Sequence, residues 1–274
     1  MEQIKNKKTF TICGFSIYRI FAYFIIYSIV GYIIETIFGI ISKGVWESRQ
    51  SFLYGPFCAI YGVGAVIMLL CLHNVKRSHN ALFIGGFIVG SVVEYAVSFL
   101  GEALLNVKWW DYSGMPFNIN GRICVLYSIF WGFLAIYLVL SFNPKVDKMI
   151  NWLKTKVNIR VGKIAIIVTI IILLLDCIAT AFALHFFKVR MIVEHNIDVS
   201  NRQVIEEQYH QIYDNEELSK FIHTFWNDKK MIRTFPNLKS VGKDGEIIYF
   251  GAYLPDIQPY YVKIYDKKKS SEIE

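Results

Sequence analysis

The chain has 274 residues, 54% hydrophobic and only 19% charged, with a mean hydropathy of +0.39. Soluble domains carry about a quarter charged residues, so a disordered chain, a disulfide scaffold and an ordinary soluble enzyme are excluded in favour of a membrane protein with a polar appendage. The net charge of +7 fits basic loops on one membrane face and no nucleic-acid site, and the five cysteines (13, 58, 71, 124, 177), without a C-x-x-C, suggest no disulfide framework, metal or cofactor.

A spanning helix needs roughly 20 mostly apolar residues. Five stretches qualify: about 21–41, 54–72, 81–105, 121–142 and 163–187. The first is basic-flanked like a signal peptide. Its apolar part is too long for one, it contains Glu35, and no small-residue cleavage site follows, so it reads as a retained helix.

Lys and Arg in short loops set orientation. Lys5, Lys7, Lys8 and Arg19 precede the first helix, Lys76 and Arg77 join the second to the third, and Lys145, Lys148, Lys154, Lys156 and Arg160 join the fourth to the fifth. Against these 11, the opposite loops hold 3: Lys43, Arg49 and Lys108. The expected topology is residues 1–20 in the cytoplasm, a five-helix domain over 21–187 in the cell membrane, and an extracellular tail.

The tail, 188–274, is polar, with 13 Lys and Arg against 14 Asp and Glu. Residues 201–226 read as one or two amphipathic helices. Turn signals at Phe235-Pro236-Asn237 and Lys243-Asp244-Gly245 bracket strand-like runs over 247–250 and 260–265. The end, 266–274, reads as solvated. The fold class is thus an all-α membrane protein with a small α+β C-terminal region.

The membrane part repeats itself. Ile29-Val30-Gly31-Tyr32-Ile33-Ile34-Glu35 resembles Ile88-Val89-Gly90-Ser91-Val92-Val93-Glu94, and Gly55, Cys58 and Tyr61 match Gly121, Cys124 and Tyr127. Two helices per unit return the chain to its starting side. The repeats, about 21–72 and 81–142, are therefore expected as parallel hairpins about an axis along the membrane normal.

Glu35 and Glu94 lie roughly 20 Å along their helices, in the outer half of a ~30 Å core. A charge there is costly and needs protein, water or a partner. Gly31, Glu35 and Gly39 share one helix face, as do Gly86, Gly90, Glu94 and Ser98, and small residues at that spacing mark a packing face. Arg122 is the expected partner of Glu35 or Glu94, with Glu102 and Asp111 near in sequence. Together with Asp111, Asn118 and Asn120 it reads as an ordered cap over a polar site for a small polar or cationic solute. The competing reading is neutralised carboxylates that only pin helices. Asp176 shares a small-residue face with Ala179, Thr180 and Ala183, which suits helix packing as well as function.

The stretches 31–36 (Gly-Tyr-Ile-Ile-Glu-Thr), 52–62 (Phe-Leu-Tyr-Gly-Pro-Phe-Cys-Ala-Ile-Tyr-Gly), 110–113 (Trp-Asp-Tyr-Ser), 117–124 (Phe-Asn-Ile-Asn-Gly-Arg-Ile-Cys) and Ser128 to Gly132 resemble the ABC-transporter type IV permease-like family of bacterial multi-pass membrane proteins. The resemblance covers roughly 20–142, with a further echo at Phe235-Pro236-Asn237-Leu238. Ala59, where the family often has Pro, and Ser48, where it tends to have Asn, depart from the pattern. The resemblance implies a transport permease or its membrane subunit. The chain has no G-x-x-x-x-G-K-[ST], so an ABC permease of this kind needs a separate ATPase subunit. Two other functions fit the residues. One is an outer-face membrane enzyme using paired carboxylates, which the lack of nearby His, of H-E-x-x-H and of G-x-S-x-G disfavours. The other is a sensor or scaffold acting through the tail.

Overall fold

The computed structural model describes residues 10–75, 78–105, 108 and 110–265. The basic residues Lys5, Lys7, Lys8, Lys76 and Arg77, Trp109 and the end 266–274 lie outside them. A short hairpin, β1 (Thr11–Ile12) and β2 (Phe15–Ser16), leads into α1 (Ile17–Lys43). α1 stops where Gly44 turns left-handed (φ 72°) and its N–H caps Ile40 O, the usual role of glycine past a helix end. Then come β3 (Val45–Glu47), α2 (Ala59–Leu72) and α3 (His79–Leu105). A hairpin of β4 (Asn118–Ile119) and β5 (Ile123–Cys124) precedes α4 (Val125–Tyr137). A π-helical segment (Leu138–Phe142) joins α4 to α5 (Asn143–Lys156), and α6 runs from Ile159 to Glu194.

Four helical runs are long and apolar enough to cross a membrane: 17–43, 79–103, 125–156 and 159–194. The expected span over 54–72 is not among them, because its helix has only 14 residues. Pro56 has no N–H to donate, and Gly55 adopts φ 78°. The chain therefore enters α2 extended, and the Cys58 N–H reaches Ser28 O in the middle of α1 (2.9 Å). The stretch expected as a loop after 142 is also helical, since α5 continues α4 through the π segment. α6 runs seven residues beyond the expected end at 187.

α1 pairs with α2 and α3 with α4. Between them lies a core of Tyr23, Tyr27, Met68, Leu82, Ala135 and Leu138. Outward-facing Ile33, Phe38, Ile88, Val92, Phe133, Ile164 and Leu175 are exposed, as expected for helices solvated by lipid.

In the polar tail the stretch expected as one or two helices forms two, and a further helix and a further strand (Lys239–Val241) appear. α7 (Arg202–Tyr213), α8 (Glu216–Phe225) and α9 (Asp228–Thr234) are followed by β6 (Lys239–Val241), β7 (Ile247–Tyr249), a 3-10 turn and β8 (Tyr260–Lys263). Asn215 and Asn227 cap α8 and α9 by accepting from the Leu218 and Lys230 N–H groups, satisfying donors that a helix start leaves open. The tail is fastened to one end of the bundle. β8 pairs with β3, Lys239 bridges Lys108, and Leu53 shares a core with Leu184, Phe187, Ile222 and Phe250. Arg190, 1% exposed, holds the junction. It pairs with Asp228 (2.5 Å) and donates to the Trp226 carbonyl (3.1 Å) and the Tyr213 hydroxyl (3.2 Å).

Candidate functional site

The two membrane glutamates are held in similar ways. Glu35 on α1 accepts the hydroxyl of Tyr61 on α2 (2.7 Å), and Glu94 on α3 accepts the indole N–H of Trp131 on α4 (3.0 Å). Each contact exists because a glycine one turn away lets the helices close. A Cβ on Gly31 would run into the Tyr61 side chain, and one on Gly90 into that of Trp131. The same correspondence continues along the helices, with Gly62 against Phe24 and Gly132 against Phe83. The packing therefore matches Tyr61 with Trp131, one turn away from Tyr127, its match in the sequence comparison. The rings of Tyr61 and Trp131 meet at a tilt of 48° with centroids 6.5 Å apart, so the carboxylates flank one aromatic centre.

Arg122 does not reach either glutamate. It pairs with Glu102 (2.6 Å) and lies over the rings of Tyr95 (5.5 Å) and Phe99 (5.6 Å). The expected pairing with Glu35 or Glu94 fails for a geometric reason: Glu102 is two turns nearer the loop end of α3, level with the hairpin that carries Arg122. The other loop arginine, Arg49, is likewise taken by Glu47 (2.6 Å), which also binds Lys43 (2.7 Å). Among the described residues, then, Glu35 and Glu94 form no ion pair.

The remaining expected site residues build the cap. Asp111 accepts the Ser113 hydroxyl (2.6 Å) and amide (3.3 Å). Partial burial pushes its carboxyl up, but these bonds and nearby Lys108 and Lys239 outweigh that and hold it below the usual carboxylate range. Asn118 donates to the Met115 and Ser113 carbonyls and accepts the Gly121 N–H (3.0 Å), and Asn120 donates to the Tyr95 hydroxyl (3.0 Å). None of the three touches Glu35 or Glu94. The cap residue that does is Tyr112, whose hydroxyl donates to Glu94 (2.9 Å). Burial and the adjacent Glu94 carboxylate hold that hydroxyl far above the usual phenol range, so it stays a donor. Tyr112 stacks on Tyr127 (4.6 Å), which explains why Tyr127 is not itself the carboxylate's partner.

Asp176 has a different task. It accepts the Tyr54 N–H (3.1 Å), and its neighbour Thr180 accepts the Leu53 N–H (2.9 Å). Chain without helical hydrogen bonds survives at membrane depth only where protein satisfies it, and these side chains do so for the segment ahead of α2. Between that segment and α6 lies a groove of about 440 Å³ lined by Tyr54, Gly55, Phe57, Ile172, Leu175 and Ala179.

At the opposite end, Asp147 on α5 pairs with Arg19 (2.5 Å) and accepts the Tyr23 hydroxyl, while Asn143 accepts Tyr27 (2.9 Å). Among the described residues no cluster of His, Cys, Asp and Glu could hold a metal ion.

The model of the family described as "Putative ABC-transporter type IV" matches residues 22–181. The chain belongs to this family. No curated protein and no solved structure matches it. As an ABC-transporter type IV protein with several apolar membrane-length helices, it is a multi-pass membrane protein of a transporter family, which points to transport rather than to an enzyme. The family match extends through Asp176 and Thr180 and ends within α6, short of the polar tail.

Proposed function

We propose that this ABC-transporter type IV protein is a permease, or the membrane subunit of one, and that Glu35 and Glu94 bind a small polar or cationic solute. The observation that carries this reading is that, among the described residues, both carboxylates have only neutral donors. A carboxylate inside a bundle needs a proton, a cation or a cationic group. Arg122 and Arg49 are already paired with Glu102 and Glu47, so the compensating charge can come from the transported species. Two such glutamates around one aromatic centre exceed what helix pinning requires.

The path crosses the membrane five times in this reading, with α2 and the extended segment ahead of it forming the second crossing. The tail packs on the same end as the loops after α1 and α3, which supports an odd number of crossings. The matched glycine, aromatic and glutamate contacts support two parallel repeats about an axis between Tyr61 and Trp131. The charge asymmetry supports a cytoplasmic N-terminus and an outer tail. A separate ATPase would dock on the cytoplasmic face.

Uptake into vesicles, with and without an ATPase subunit, tests the function. The Glu35→Gln, Glu94→Gln double variant should fold and lose solute uptake, and normal uptake by it would remove the case for the site. Topology is tested by labelling single cysteines in intact cells. A cysteine at exposed Gly114 or Lys243 should react, and one at exposed Ser78 should not. Reaction at Ser78 would reverse the orientation.

A further inference from the structure

α5 presents an unusual outward face. Its buried side, Asn143, Val146 and Ile150, packs on the bundle. The opposite side carries Lys145, Lys148, Met149, Trp152 and Lys156, all exposed, with the two apolar residues set between lysines along one stripe. At 100° per residue these five positions fall within one third of the helix circumference. Lys154 and Arg160 add charge at the turn into α6, where Val157, Ile159 and Val161 are exposed as well. The one acid on α5, Asp147, is consumed by Arg19 and Tyr23. None of the five basic side chains forms an ion pair among the described residues.

We infer that this face of α5 binds anionic phospholipid headgroups, with Lys145, Lys148 and Lys156 on the phosphates and Met149 and Trp152 against the upper acyl chains. The inference is independent of the proposed glutamate site. A water-solvated face would not show Trp152 57% exposed beside Leu153 and Met149. Lysines on either side of an apolar pair suit side chains that lay apolar stems on lipid and lift charge to the headgroups. The apolar members also continue, through Val161, Ile164 and Val168, into the lipid-facing surface of α6. By composition, the stretches 1–9 and 76–77, outside the described residues, do not offer the opposite charge: the first holds Lys5, Lys7 and Lys8 against Glu2, and the second is Lys-Arg. The headgroups of an anionic leaflet do.

The test uses the full-length protein in phosphatidylcholine vesicles, with Cys13, Cys71 and Cys177 replaced by Ser and a fluorophore on Thr155→Cys. Nitroxide-labelled phosphatidylglycerol should quench it at about tenfold lower mole fraction than labelled phosphatidylcholine, and added salt should shrink that preference. The Lys145→Gln, Lys148→Gln, Lys156→Gln variant should melt like its parent in phosphatidylcholine and lose the preference, and arginines at the three positions should keep it. Soluble glycerol phosphate should not displace the lipid. Equal quenching by both lipids in the parent would overturn the proposal and leave the face to an acidic protein partner. Retained preference in the glutamine variant, or displacement by glycerol phosphate, would also overturn it. The salt dependence of the parent decides the matter if the glutamine variant does not fold.

Discussion

The Glu94 half of the molecule is shut and the Glu35 half is open. Glu94 is 5% exposed and both its oxygens are held, one by Tyr112 and one by Trp131. Glu35 is half-buried and has one donor among the described residues, Tyr61. The helices differ little, because each glutamate sits one turn above a glycine pressed on an aromatic ring. The connections make the difference. The 110–124 connection folds into a hairpin that delivers Tyr112 onto its glutamate. The 48–58 connection instead turns to α6, where Leu53 and Tyr54 bind Thr180 and Asp176. Loop chemistry, not helix packing, decides how accessible each carboxylate is.

The strongest way to break this comparison is to truncate each glutamate. Glu94→Ala strands two part-buried donors and should cost roughly 2–4 kcal/mol, while Glu35→Ala strands one and should cost roughly 1–2 kcal/mol. Unfolding titrations in detergent read both values, and an equal or reversed order would end the distinction. The arginines give a smaller contrast. Arg122→Ala leaves Glu102 alone at a partly exposed site and should cost about 1–2 kcal/mol. Glu102→Gln in the same chain should recover part of that. Arg49→Ala should cost less, since Glu47 keeps Lys43. A double-mutant cycle showing no coupling between Arg122 and Glu102 would contradict the pair.

Opening the cap is a finer test. Tyr112→Phe should cost about 1 kcal/mol and raise the rate at which a water-soluble carbodiimide modifies Glu94, bringing it toward that of Glu35. An unchanged rate would mean that Tyr112 is not the barrier. The smallest effect is one of pH. The folded Asp111 carboxyl lies below its ordinary range, so its contribution is present above that range and is lost as pH falls through the lowered value. The protection of the Ser113 amide, measured as its exchange rate relative to the intrinsic rate at each pH, should fall on acidification, and in Asp111→Asn that acid-dependent step should vanish.

Much of the bundle was legible from apolar run length, and the two glutamates from their matching Ile-Val-Gly context. The helix expected over 54–72 starts only at Ala59, because hydropathy does not register that Gly55, at positive φ, and Pro56 keep the chain extended there. Arg122 misled because closeness in a sequence drawing ignores depth, and Glu102 stands level with it while Glu94 does not. Tyr61 was visible as part of a repeated motif, but the slip of one turn that puts Trp131 in the matching place arises from how closely Gly90 and Gly132 let α3 and α4 approach. Asp176 held two readings in the sequence, and the backbone it serves appears only once the segment ahead of α2 is known to be unwound. Asn143 and Asp147 gave no signal, being hidden in a stretch read as a basic loop.

The two aromatic partners are not chemically equivalent. A phenol hydroxyl can give a hydrogen and take one back, whereas an indole N–H only gives. Once it has taken up a proton, Glu35 can therefore turn its bond with Tyr61 around, donating where it had accepted. Glu94 has no such exchange with Trp131, and its single reversible neighbour is Tyr112 at the mouth. A protonated Glu35 thus keeps an acceptor for its hydrogen in the centre of the bundle, whereas a protonated Glu94 finds one at the cap.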